Sequence, residues 1–200
     1  MKTFVLASKN EHKAKEIQEI LGAGFRVITQ TEAGAGDIDI IEDGDTFEAN
    51  AVKKAETIMR ALNRPVIADD SGLCVDYLGG SPGVYTARYA GENATDQDNI
   101  DKLLGAMDGV PFSERTARFV CVIALALPDG KTKTFRGECN GFINLCPDGD
   151  GGFGYDPIFY VESFGMTMGL LEPHIKNSIS HRHAALSKLV EYLREEELQR

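Results

Sequence analysis

An α/β fold with a central mixed sheet flanked by helices is predicted by two features of the sequence. Strand-like and helical segments alternate through the first half of the chain, and a long hairpin dominates the middle. The stretch "KTFVLA" (2 to 7) is the first strand, too short in apolar residues for a signal-peptide core. Asn10 then caps a helix whose Ala14, Ile17 and Leu21 fall on one stripe. "FRVI" (25 to 28) is a second strand, followed by the acidic, irregular "GDIDIIEDGD". A second helix starts near Asp45, where Asp45 and Glu48 fit a capping box, and its stripe is Ala49, Val52, Ala55, Met59 and Leu62.

"RPVIA" is a strand that runs up to Asp69 and Asp70, and "LCVDYL" resumes the strand pattern before the turn "GGSPG". Thr95 caps a helix with Ile100, Leu103, Leu104 and Met107 on one face. "RTARFVCVIALALP", the turn "PDGK" and "TKTFRGEC" form the hairpin. The glycine-dense "PDGDGGFGYDPIF" is loop, and Ser180 caps a final helix.

A chain of 200 residues supports a real core, and it is expected to form a single domain over residues 1–200. The formal net charge of −10 argues against binding a nucleic acid polymer, which needs a basic face. A small anionic ligand held by a few lysines or a divalent cation is compatible with it. No apolar run approaches the roughly 20 residues that cross a bilayer, so no membrane association is expected. Cys74, Cys121, Cys139 and Cys146 form no C-x-x-C pair, which fits a reducing cytoplasm.

Four segments could carry chemistry. In "ASKNEHK", Lys13 sits in the first turn of a helix, the wrong sign for the helix dipole. With Ser8, Asn10 and free backbone N–H groups it would cradle a phosphate, although a capped helix with a solvated lysine explains the same residues. Glu42 with Asp69 and Asp70 offers hard oxygen ligands of the kind magnesium takes, or the two aspartates simply cap a turn with Ser71 and Gly72. If the strand stays regular, Asp69 and Asp70 point to opposite faces and cannot both meet one metal.

"GGFGYDPIF" lacks the residues of a Walker loop and the setting of a dinucleotide fingerprint. What remains presents Phe153, Tyr155 and Asp156, suited to stacking a flat ring, or else makes a turn with core aromatics. Lys176, His181, Arg182 and His183 gather at the start of the last helix. This second dipole misfit points to an anionic or acceptor-rich ligand between the two helix N-termini. The elbow of a serine hydrolase is absent around Ser71.

In their order, "SKNEHKAKEI", "EDGDTFEANAVKKA", "IADDSGLCVDYLGGSPGVYTARYAGE", "GGFGYDPIF" and "KNSISHR" closely resemble the inosine triphosphate pyrophosphatase family, over residues 8 to 182. The resemblance implies two lobes around an active-site cleft and a cytoplasmic homodimer. It implies magnesium-dependent hydrolysis of non-canonical purine nucleoside triphosphates (ITP, dITP, XTP) to monophosphate and pyrophosphate. By position it makes Asp70 the catalytic acid, Glu42 and Asp70 the metal ligands, and Asp69 a contributor of unassigned role. Ser8, Lys9, Asn10 and Lys13 with Lys54 would hold the phosphates, Glu11 and His12 would be substrate-binding residues of the same segment, and Ser71 would touch substrate. Phe153, Gly154, Tyr155, Asp156, Lys176, His181 and Arg182 match the base-binding segments, with donors of His181 or Arg182 facing the 6-oxo group.

The chain departs from the family's pattern in two places. Ala49 stands where an acid usually precedes the asparagine, and Pro173 in "TMGLLEPHIK" is expected to interrupt any helix before "SHR". Other readings are a pyrophosphatase for modified pyrimidine nucleotides and a nucleotide-binding sensor without turnover.

Overall fold

The computed structural model describes residues 2–198, the side chains of His12, Glu197 and Leu198 excepted. Seven strands form one mixed sheet, in the order β2-β1-β3-β4-β5-β6-β7. They are β1 (Lys2–Leu6), β2 (Phe25–Thr29), β3 (Val66–Val75), β4 (Thr116–Ala126), β5 (Thr132–Ile143), β6 (Phe159–Val161) and β7 (Met166–Thr167). β1 pairs parallel with β2 and β3, whereas β6 pairs antiparallel with β5 and β7. The helices are α1 (Glu11–Leu21), α2 (Phe47–Leu62), α3 (Asp96–Ala106), α4 (Pro173–Ile179) and α5 (His181–Leu198). No helix among the described residues is long and apolar enough to cross a membrane.

The chain divides into two compact units: residues 1–70, 121–137 and 182–200 form the first, and residues 71–120 and 138–181 the second. In the first unit, Ile17 and Leu21 of α1 and Ala185, Leu186 and Leu189 of α5 pack with Phe4, Leu6, Ile67, Cys121, Ile123 and Leu125 of the strands. Those strand residues alternate along β1, β3 and β4, so α1 and α5 lie on one face of the sheet. The intervening Val5, Val66, Ala68, Val122 and Ala124 are buried too. A strand covered on both faces reads as a continuous apolar run, which is the form "RFVCVIALAL" takes. The second unit has its own core, in which Leu103 and Met107 of α3 join Leu73, Val75, Phe119, Ile143 and Phe159.

Several expectations meet corrections. β3 does not stop at the aspartates but runs through them, so "VIADDSGLCV" is one regular strand. Helix α2 is capped by Thr46, whose hydroxyl accepts the Ala49 N–H, and not by Asp45. Its buried face is also rotated: Asn50, Ala51, Lys54, Ala55 and Ile58 are buried while Ala49 is exposed. A stripe read from apolar residues alone misplaces a face that includes an asparagine and a lysine. Pro173 starts α4 instead of breaking a helix, because the first helical position needs no N–H and favours the φ that proline fixes.

Candidate active site

Along β3 the side chains alternate, so Ile67 and Asp69 share one face and Val66, Ala68 and Asp70 the other. Asp69 therefore projects toward α1 and α5. Its Oδ1 accepts from Lys13 Nζ at 2.8 Å and Arg182 Nη2 at 3.3 Å, and its Oδ2 accepts from Arg182 Nε at 2.9 Å and the Cys121 thiol at 3.2 Å. Arg182 Nη1 also donates to Glu16 at 2.9 Å. The Asp69 side chain is 1% exposed and that of Arg182 2%. Burial alone would raise the carboxyl's pKa, but Arg182 and Lys13 outweigh it and hold Asp69 well below the usual 3.8. Burial and the Asp69 charge push Cys121 far up, so it remains a thiol and a donor.

The cations at the starts of α1 and α5 are thus met by a carboxylate of the chain itself. Sequence reasoning placed an external ligand between those two helix starts; Asp69 answers both dipole misfits.

On the opposite face, Lys54 of α2 donates to Asp70 at 2.9 Å and to Glu42 at 2.8 Å. Asp70 and Glu42 are themselves hydrogen-bonded. Burial, with the bond and charge of Glu42 against the opposing Lys54, raises the Asp70 pKa to about 7. Glu42 moves the other way: burial would raise it, but the bond from Asp70 and the Lys54 charge lower it. For Lys54, burial would lower the pKa, and the two carboxylates raise it instead. Near neutral pH the two carboxyl groups favour sharing one proton, and so one negative charge, beside the Lys54 ammonium.

The acidic loop that carries Glu42 is tied to α2 by Asn50, whose Oδ1 accepts the Gly44 N–H at 2.8 Å. A Cβ on Gly44 would lie 2.7 Å from Asn50 Oδ1 and 2.9 Å from the Ala49 Cβ, so only glycine fits there. Glu48 is paired with Arg136 at 2.8 Å and does not join Glu42 and Asp70.

Ser8, Lys9, Lys13, Glu42, Lys54 and Asp69 line one cavity of about 200 Å³. At its α1 side, Ser8 Oγ accepts the Asn10 N–H and Asn10 Oδ1 accepts the Lys13 N–H, both at 3.1 Å. Lys9 bridges to Asp39 at 2.7 Å, and Gln30 joins Asp39 in the lining. Glu11 is exposed in the first turn of α1, and the side chain of His12 lies outside the described residues.

In the second unit, Phe153 is 60% exposed and Lys176 Nζ stands 4.4 Å from its ring centroid. Lys176 also bonds Asp156, which accepts the Phe153 N–H at 2.8 Å. The Tyr155 hydroxyl donates to Thr86 O at 2.8 Å, and its ring is buried. Gly154 donates to Asp96 at 2.7 Å. His181 stacks on Phe119 with ring centroids 5.0 Å apart, and Ser71 is half-buried on β3. The residues from Phe153 to Asp156 and Lys176 therefore form one cluster, while Arg182 is seated with Lys13 on Asp69.

The model of the Ham1 family matches residues 4–192. The chain belongs to the Ham1 family. A Shouchella clausii protein named dITP/XTP pyrophosphatase is 52% identical over 192 residues, which cover 96% of each chain. The Bacillus subtilis protein of the same name is 49% identical, over 96% of this chain and 98% of its own. The solved structure of the Staphylococcus aureus Ham1 protein superposes with a TM-score of 0.90 at 45% identity, covering 98% of this chain and all of that one. The resemblance and the mixed α/β fold expected from the motifs are borne out.

Within this Ham1 chain, sequence reasoning missed Glu16, Asn50, Cys121, Gln30, Asp39 and Asp96. Two of them left a signal. Glu16 is three residues after Lys13 and Asn50 four before Lys54, spacings that put each pair on one helical face. Cys121 and Asp96 come from distant segments, and no local pattern joins them to Asp69 or Gly154.

Proposed function

We propose that this protein hydrolyses non-canonical purine nucleoside triphosphates, among them ITP, dITP and XTP, to the monophosphate and pyrophosphate. The observation that carries the reading is the group of Asp70, Glu42 and Lys54, with Glu42 and Lys54 lining the same cavity as Lys9 and Lys13. The full-length likeness to proteins named dITP/XTP pyrophosphatase supports the substrate class.

The donor set suits magnesium, which takes hard oxygens, usually one or two carboxylates with phosphate oxygens and water. Two carboxyl groups that share a proton, one of them with its pKa near 7, are a pair whose repulsion a dication would relieve. Glu42 and Asp70 would hold it, and it would supply charge neutralisation at the phosphates and acidify the bound water.

Asp70, ionised, accepts the proton of the attacking water. Lys54 fixes Asp70 and Glu42 and, with Lys9, Lys13, Ser8 and the N–H groups at the start of α1, balances charge on the departing pyrophosphate. Asp69 has its oxygens filled by four protein contacts and acts by orienting Lys13.

Phe153 to Asp156 and Lys176 would take the base. His181 would meet the 6-oxo group, and an adenine amino group there would leave a donor unpaired at a cost of about 1–3 kcal/mol. Residues 1–200 would work as one cytoplasmic pyrophosphatase domain, assembled as a homodimer. The single family model over residues 4–192 supports the first part.

The test is a panel of inosine, xanthosine, adenosine and modified pyrimidine triphosphates with magnesium, with products identified. Monophosphate and pyrophosphate from the first two is the expected result. Release of orthophosphate alone would overturn the cleavage position, and binding without turnover would make the protein a sensor.

A further inference from the structure

A large aromatic side chain on a loop as rich in glycine as "DGDGGFG" should pay a high conformational cost to hold one position. The structure pins this loop instead. Consecutive backbone amides on the two sides of Phe153 each donate to a carboxylate. The Phe153 N–H meets Asp156 at 2.8 Å, and the Gly154 N–H meets Asp96 Oδ2 at 2.7 Å.

Asp156 is close by in sequence and buried, and its carboxylate fills the space a Cβ on Gly152 would need. Asp96 is different, because it is 58 residues away in the chain and sits on the first turn of α3, right after the Thr95 cap. That helix start is itself braced by a capping box between Thr95 and Asp98. At the next residue after Gly154, the Tyr155 hydroxyl is anchored on Thr86 O. The result is an exposed ring, backed by Lys176, on a backbone held at three successive residues.

We propose that Asp96 is a positioning residue for substrate selection: it fixes the Gly154 amide so that the exposed Phe153 ring is preorganised to stack on a flat purine-like base. Part of the ordering cost of binding is then met by folding, and affinity for the base rises without any contact between Asp96 and the ligand. The inference rests on the proposed base-binding role of the Phe153 loop. It adds a residue to which neither motif nor pocket points.

The experiment compares wild type with Asp96→Ala, Asp96→Asn and Phe153→Ala. It measures kcat and KM for ITP, the inhibition constant of inorganic tripolyphosphate, which has no base, and the melting temperature. Asp96→Ala should raise KM by about three- to tenfold, the value of one lost hydrogen bond of ordinary strength, because the bond acts on the loop and not on the ligand. It should leave kcat and the tripolyphosphate constant within about twofold, a spread too small to mark a lost contact.

Asp96→Asn keeps an acceptor oxygen and should recover most of the loss. It also guards against a folding defect at the α3 terminus. An unchanged KM in Asp96→Ala beside a raised KM in Phe153→Ala would overturn the positioning role alone. An unchanged KM in Phe153→Ala would overturn the base-binding reading and the positioning role together. Equal shifts for ITP and tripolyphosphate, or a lowered melting temperature that Asn does not restore, would make Asp96 a structural residue only.

Discussion

The face of β3 that carries Asp69 and the face that carries Asp70 begin one residue apart and have opposite electrostatics. Asp69 meets two cations and a thiol, is sealed from solvent, and is held ionised far below its ordinary range. Asp70 shares one lysine with a second carboxylate and is held near neutrality. A carboxylate with surplus positive charge is a structural anchor. One with a deficit is reactive, because its proton exchanges near working pH and a cation improves its situation. The same residue type is thus fully ion-paired on one side of the sheet and, under the proposed function, free for chemistry on the other.

The largest expected effect lies on the Asp70 face. Asp70→Asn should cut turnover of ITP by on the order of 1,000-fold, the range of a lost general base, without lowering the melting temperature. Turnover within a few-fold of wild type would remove Asp70 from the mechanism and erase the contrast.

On the Asp69 face the expected loss is stability. Arg182→Ala or Asp69→Asn breaks a buried ion pair and leaves the remaining ion with one partner, Lys13 or Glu16, a cost of about 3–5 kcal/mol. At about 2–4 °C per kcal/mol for a chain of this size, the melting temperature should fall by roughly 10 °C. A variant that keeps its melting temperature but raises KM would make Arg182 a substrate contact instead of an anchor.

The pH dependence sharpens the comparison further, because the two signs differ. Asp69, with a depressed pKa, contributes stability that is present above 3.8 and is lost as pH falls below it. Asp70, with a raised pKa, does the reverse: between 3.8 and about 7 the unfolded chain ionises there before the folded chain does, so stability falls as pH rises. With metal chelated, the melting temperature of Asp70→Asn relative to wild type should therefore climb from pH 4 to pH 8. A flat difference would mean that the two aspartates do not titrate apart.

The smallest effect is expected from Cys121→Ala, which removes one of four contacts to Asp69. About 1 kcal/mol of stability should go, with a slight rise in KM as Lys13 loosens. An unchanged melting curve would show that the thiol contact contributes nothing.

Much of this was legible beforehand. Strand alternation alone said that Asp69 and Asp70 must differ, and the cations at two helix starts said that a negative charge lay near both. The identity of that charge was not legible, since Lys13, Cys121, Arg182 and Asp69 are far apart in sequence. The rotated face of α2 escaped because Asn50 and Lys54 are buried by pairing with Gly44 and with Asp70 and Glu42, and hydropathy assigns both to solvent.

By itself the sequence determined the local elements: the apolar periods, the caps at Asn10 and Thr95, the hairpin turn and the ordered motifs that mark the family. These depend on residues a few positions apart, where the chain's own geometry sets who meets whom. Only the tertiary structure decided that Asp69 is buried among cations, that Asp70 is held near neutrality beside Glu42 and Lys54, and that Asp96 accepts the Gly154 amide. Charge balance and burial depend on neighbours brought in from 16 to 113 residues away, and no local pattern records them.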